Sequence, residues 1–129
     1  MPRILVVDDE PSVVRTLSGF LARAGYDVVT AGSSADALGL LEAPEPVDAV
    51  VSDVLMPGMN GVLLYDTIVA RAPHLARRVV FLTGAARDPD VHAPIEARGV
   101  PLISKLNDFR LVVDAVRVAL LARTGQAAR

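Results

Sequence analysis

Two acidic residues, Asp8 and Asp9, follow directly on the apolar run RILVV. Asp53 closes a second apolar run, Thr83 a third, and Lys105 follows a fourth. If those run ends share one edge of a fold, three carboxylates, a hydroxyl and an ammonium converge there. Packed carboxylates raise one another's pKa values unless a cation neutralises them. Hard oxygen ligands with a residual negative charge suit Mg2+, which takes a few carboxylates together with water and phosphate oxygens. With a cation present, Asp53 can stay ionised and act as a nucleophile toward phosphorus. Phosphoryl transfer asks mainly for in-line positioning and charge neutralisation, and Thr83 and Lys105 are suited to hold phosphoryl oxygens. Taken singly, an Asp at a strand end is ordinary turn or cap chemistry, as is Thr83 before Gly84. Taken together, the five are hard to explain as turns. Lys105 is also the only Lys among 13 basic residues, the others all being Arg.

The elements that must bring these groups together alternate along the chain. Strands are expected at Arg3–Val7, Asp27–Ala31, Val47–Ser52, Arg78–Thr83 and Val100–Ser104. The runs are continuously apolar, as in strands buried on both faces of a parallel sheet. Pro11 opens a helix with Val13, Val14, Leu17, Phe20, Leu21 and Ala24 on one face and Gly25 as its stop. Ser33 or Ser34 caps a second helix through about Glu42, and Pro44 forbids its continuation. Asn60 caps a third from about Gly61 to Ala70, ended by Pro73. After a Gly-Ala-Ala loop, Asp88-Pro89 starts a weak fourth helix, because Pro94 would fall in its interior. A short or late-starting helix with Pro94 in its first turn is expected. Asn107 or Asp108 caps the last helix, whose face is Leu111, Val112, Ala115, Val116, Ala119 and Leu120. The result is five βα units in one domain over residues 1–123, with a frayed tail at 124–129.

Composition narrows the function classes. Hydrophobic residues make up 52% of the 129 and aromatics 4%, enough for an aliphatic core. There is no Cys, so disulfides and thiolate metal sites are excluded. The net charge of −2, without a basic stripe, argues against nucleic-acid binding by this chain alone. No apolar run approaches a membrane span and the Met-Pro-Arg start lacks a signal-peptide core, so a soluble cytoplasmic domain is expected. Neither a GxGxxG nor a Walker A loop occurs, so nucleotide binding is not supported. His74 and His92 lie away from the strand ends.

The motifs ILVVDDE at 4–10, SDVLMPGMNG at 52–61, FLTG at 81–84 and LISK at 102–105 resemble the receiver domain of bacterial response regulators. The resemblance spans about Arg3 to Ala122. It implies a flavodoxin-like (βα)5 fold, a doubly wound parallel sheet of order 2-1-3-4-5 in a three-layer sandwich. It implies that Asp53 is the phosphoacceptor, taking a phosphoryl group from a histidine kinase or histidine phosphotransfer protein in a two-component phosphorelay. Asp9 matches the direct Mg2+ ligand, Asp8 its acidic neighbour acting through water, and Leu55 the residue whose backbone carbonyl completes the metal shell. Thr83 and Lys105 match the two phosphoryl-binding residues that also carry the signal.

Two positions depart from the family pattern. Leu102 stands where an aromatic partner of the Thr is common. Leu106 stands where a proline with a cis peptide usually aims the Lys. A cis bond before a non-proline residue costs about 2.5–4 kcal/mol, so a trans Lys105–Leu106 bond and a displaced loop are expected. LISK without the aromatic resembles receivers attached to hybrid histidine kinases. Leu55 and Ala85 offer no polar side chain to orient a hydrolytic water, so a long-lived phosphoryl group is expected. Output would come from a downstream protein or from an effector or kinase domain outside this sequence. The alternative is a degenerate receiver that binds a partner without phosphorylation. A small phosphatase would want an acid/base Asp two residues after the nucleophile, where Leu55 stands. The chain is thus expected to catalyse only its own aspartyl phosphorylation and dephosphorylation.

Overall fold

The computed structural model describes residues 1–56, 59–85 and 88–122, with the backbone alone for Met59. Five strands, β1 (Arg3–Val7), β2 (Asp27–Ala31), β3 (Ala49–Asp53), β4 (Val79–Thr83) and β5 (Leu102–Ser104), form one parallel sheet. Their order is β2-β1-β3-β4-β5, the order that the resemblance implies. Five helices connect and follow them: α1 (Pro11–Arg23), α2 (Ser34–Leu41), α3 (Gly61–Arg71), α4 (Pro89–Glu96) and α5 (Arg110–Leu120). The expected Pro57-Gly58 turn, Ala86 of the Gly-Ala-Ala loop and the 124–129 tail lie outside the described residues.

Strand alternation builds the three layers. Leu5, Val7, Val50, Val79 and Phe81 pack on one face against Ala37 of α2, Leu64 and Ile68 of α3, and Val91 and Ile95 of α4. Ile4, Val6, Ala49, Val51, Val80 and Leu82 pack on the other, against Leu17 and Leu21 of α1 and Val112, Val113 and Val116 of α5. Every residue of β3 is buried, so the strand that carries Asp53 is fixed from both sides.

The helix signals act as side-chain chemistry predicts. Ser33 Oγ accepts the Asp36 N–H at 3.1 Å and Asn60 Oδ1 the Val62 N–H at 2.8 Å. Gly25 ends α1 with φ +96°, a left-handed conformation that suits glycine.

Several expected boundaries move, each for a local reason. β3 begins at Ala49 rather than Val47, after Asp48 turns its carboxylate to the Arg3 N–H (2.7 Å), and it runs one residue further, so Asp53 is its last residue. β4 starts one residue late, at Val79. β5 starts at Leu102 because Pro101 has no N–H for the ladder, although its carbonyl still accepts from Phe81 (2.8 Å). Helix α4 is short, as expected, but Pro94 sits in its interior, not its first turn. Asp88 Oδ1 caps it through the Asp90 N–H (3.0 Å), and the Asp90 carbonyl that Pro94 cannot serve belongs to an exposed residue, where water can serve it. The buried face of α5 is rotated: Val113 is inside and Leu111 is exposed. Phe109, edge-on to Phe20 at 6.2 Å, occupies the cap position, and Asp108 Oδ1 still accepts the Arg110 N–H (2.9 Å). Ala24 is exposed, outside the buried face of α1.

Candidate functional site

Asp53 closes the central strand and is 4% exposed. Its position is set by backbone on three sides. The Val54 N–H donates to the Leu82 carbonyl (3.3 Å), and the Gly61 N–H to the Val54 carbonyl (2.7 Å). The Ser52 hydroxyl donates to the Asp53 carbonyl (2.9 Å). The chain between Asp53 and α3 folds back as a small hairpin, Leu55–Met56 against Met59–Asn60, an element the sequence reading did not anticipate. Gly61 is the residue that lets this return close. A Cβ there would stand 2.7 Å from Val54 Cα and 2.8 Å from the Val54 carbonyl oxygen. Sequence reasoning used Gly61 only as a helix start; its neighbour Asn60, a cap, was the visible sign of the turn.

The side chains meet as follows. Asp53 Oδ1 accepts the Leu55 N–H (3.3 Å), and Oδ2 accepts the Lys105 ammonium (3.0 Å). The same ammonium is 3.0 Å from Asp8 Oδ2 and 2.6 Å from Glu10 Oε1. Asp8 is 3% exposed; its Oδ1 accepts the Glu10 N–H (2.9 Å), while Oδ2 faces Lys105 without a well-aligned hydrogen bond. Burial pushes the Asp53 carboxyl above its usual range; Lys105 pulls it back, and the Asp8 charge adds to the rise. Burial works against the Lys105 ammonium, but its hydrogen bonds to Glu10 and Asp53, with the Asp8 carboxylate beside it, outweigh this and hold it above the ordinary lysine value.

The Lys105–Leu106 peptide is trans, as expected, yet the ammonium still reaches Asp53. Thr83 is buried, and its Oγ1 accepts the Ala85 N–H (3.1 Å). The register explains why it is not a partner of Lys105. Asp53 pairs with Leu82, and Leu82 packs on the α1/α5 face; Thr83 pairs with Ser104, one pleat on, from the other face. Leu102, opposite Phe81, lies on that same α2–α4 side.

The acidic residues after β1 divide between the cluster and its surroundings. Asp9 is exposed and, together with Asp8, lines a cleft of about 320 Å3 with Pro11, Arg15, Thr30 and Gly32. Glu10, which the reading passed over as part of the approach to α1, joins the cluster. Carboxylate oxygens of Asp8, Glu10 and Asp53 lie within 4.8 Å of one another. Three hard oxygen donors, one of them a buried oxygen without an aligned hydrogen bond, fit a small divalent cation. Leu55 is exposed and touches the site through its N–H.

Residues 4–117 match the family described as Response regulator receiver domain. The chain is 37% identical over 131 residues to the protein-glutamate methylesterase/protein-glutamine glutaminase 1 of Anaeromyxobacter dehalogenans, covering 95% of this chain and 37% of that protein. It is 34% identical to the probable transcriptional regulatory protein TcrX of Mycobacterium tuberculosis, covering 95% of this chain and 50% of that one. The chain thus spans half or less of the length of these relatives. Among solved structures, the response regulator receiver domain protein from Clostridium thermocellum superposes with a TM-score of 0.79 at 28% identity, covering 93% of this chain and 94% of that one. A five-stranded parallel sheet with an acidic cluster at its edge, matched along nearly its whole length, places this chain in the family of receiver domains of two-component response regulators.

Proposed function

We propose that the domain accepts a phosphoryl group on Asp53 from a phosphohistidine of a histidine kinase or histidine phosphotransfer protein, and passes the signal on by a change of conformation. The observation that carries this reading is the Lys105 ammonium at 3.0 Å from Asp53 Oδ2 in a buried site. An ionised Asp53 oxygen attacks phosphorus. The bond to the imidazole nitrogen breaks, that nitrogen keeps the electron pair, and the imidazole, protonated on its other ring nitrogen, leaves as the neutral ring. The phosphoryl group, now an acyl phosphate on Asp53, brings new negative charge beside Lys105, whose ammonium already places a positive charge there. Thr83 offers a hydroxyl one residue further along the neighbouring strand, provided that it leaves the Ala85 N–H. Mg2+ held by Asp8, Glu10 and Asp53, with Asp9 and the Leu55 carbonyl as the further ligands the family pattern suggests, would neutralise phosphoryl charge.

The chain is read as catalysing only its own phosphorylation and dephosphorylation, in the cytoplasm. No helix among the described residues is long and apolar enough to cross a membrane. Output is assigned to a downstream protein or to a further domain of the kind that the longer relatives carry.

Intact-mass spectrometry after incubation with acetyl phosphate tests this. One added phosphoryl group, dependent on Mg2+, removed by chelator and absent in Asp53→Asn, is expected. No added mass from acetyl phosphate or a cognate phosphohistidine donor, with the fold intact, would transfer the assignment to phosphorylation-independent partner binding. With no polar side chain at Leu55 or Ala85, the phosphoryl group should outlast minutes at neutral pH; loss within seconds would contradict that.

A further inference from the structure

Both peptide groups that flank Lys105 are tied down. The Lys105 N–H donates to the Thr83 carbonyl (2.9 Å), continuing the ladder between β4 and β5. The Leu106 N–H donates to Ser104 Oγ (3.1 Å), and the Asn107 N–H to the Ser104 carbonyl (3.0 Å). Lys105 is therefore a central residue of a turn closed by a hydroxyl, the local bond that Ser offers two residues on. Leu106 adds little packing, being 92% exposed. What it contributes is its N–H, which a proline would lack. Without a cis peptide, the ammonium still lies 3.0 Å from both Asp8 and Asp53.

We propose that Ser104 is a positioning residue for Lys105: its hydroxyl, by accepting the Leu106 N–H, fixes the backbone from which the ammonium reaches Asp53. The relevance of this to phosphoryl uptake rests on the function proposed above; the aiming itself does not. A lysine has a long flexible stem, and each backbone angle fixed beneath it leaves less freedom to lose when the head is held.

The test uses the fact that Lys105 is the only lysine of the chain. Trace acetylation with acetic anhydride, without metal or phosphodonor, reports how firmly the ammonium is held, with the N-terminal amine as internal reference and peptide mass spectrometry as the detector. Ser104→Ala should raise the relative acetylation of Lys105 roughly two- to tenfold, the scale of one net hydrogen bond. Ser104→Thr, which keeps the hydroxyl, should restore the wild-type rate. Leu106→Pro removes the donor, so Ser104→Ala should add nothing in that background. In a second measurement, initial phosphoryl incorporation from acetyl phosphate with Mg2+ should fall in Ser104→Ala and recover in Ser104→Thr. Unchanged acetylation in a folded Ser104→Ala protein would overturn the proposal. So would an undiminished effect of Ser104→Ala in the Leu106→Pro background, which would mark a general loosening of the strand end. If acetylation follows the expected pattern but the wild type takes up no phosphoryl group, the phosphoacceptor reading falls and the aiming of Lys105 stands.

Discussion

Asp53 is a carboxylate that the fold would rather keep protonated, because it is buried beside the Asp8 charge and Lys105 only partly compensates. A raised folded pKa favours folding below the unfolded carboxylate value, and that gain is lost as pH rises through the folded value. Ionised Asp53 is thus a burden at neutral pH. Asp53→Asn should therefore abolish phosphoryl uptake yet unfold at a higher temperature than the wild type at pH 7 in chelator, with the difference vanishing near pH 3. A variant less stable at pH 7 would mean that the bond to Lys105 outweighs burial. Uptake by the wild type should likewise fall on acidification at a pH above the ordinary carboxylate value of 3.8. Asp8, Asp53 and Lys105 were legible in the sequence because charged residues at the ends of apolar runs are conspicuous, and a parallel sheet puts those ends on one edge. Glu10 was not. Its part depends on how the chain turns from Asp8 into α1, and that turn also carries Asp9 out to the surface.

Backbone geometry decides what a short element can hold. Gly61 is the clearest case, since its missing Cβ leaves room for Val54 Cα and carbonyl oxygen at 2.7 and 2.8 Å. Gly61→Ala would gain at most about 1 kcal/mol of helix propensity. Against that, forcing a methyl into fixed backbone costs about 1–3 kcal/mol. The clash should win. The urea midpoint should fall, and uptake should slow because the strain is relieved by moving the segment next to Asp53; a midpoint at or above the wild type would show that the hairpin yields freely. Pro94 is the opposite case. Its place inside α4 removes a hydrogen bond and crowds the preceding turn, at about 3 kcal/mol for a typical helix interior. Pro94→Ala should stabilise the domain by about 2–2.6 kcal/mol, once the roughly 0.4–1 kcal/mol by which proline restrains the unfolded chain is subtracted. These elements show where sequence periodicity stops. It marked the five strands of the parallel sheet and the five α-helices, because apolar runs and cap residues are local signals, and it missed the hairpin after Asp53. It misplaced the ends of β3 and β5, where one Asp and one Pro redirect single hydrogen bonds. It also put Leu111 of α5 inside in place of Val113, since a row of apolar residues around an amphipathic helix does not say which edge meets the sheet.

At the scale of the whole domain, the acidic edge is a site where charge and fold stability are linked. In the structure the cluster is balanced by one ammonium that contacts all three carboxylates. A cation that binds this edge in the folded chain, and not in the unfolded one, must raise stability by RT ln(1 + [L]/Kd). At Mg2+ ten times its Kd that is about 1.4 kcal/mol, or roughly 4–6 °C in the unfolding midpoint for a domain of this size. Lys105 occupies space among the same oxygens, so it should compete with the ion as well as assist the phosphoryl group. Lys105→Ala should therefore lower the midpoint in chelator, by leaving buried like charges unpaired, and should show a larger Mg2+ shift than the wild type. Asp8→Asn should lose most of the shift, because it alters the buried oxygen that has no aligned hydrogen bond. Thermal unfolding followed by circular dichroism in Mg2+ and in chelator measures all of these. A Mg2+ shift that survived Asp8→Asn unchanged would place the ion elsewhere on the molecule. An equal shift in Lys105→Ala and wild type would mean that the ammonium and the metal fit this edge side by side, with the carboxylates shared between them.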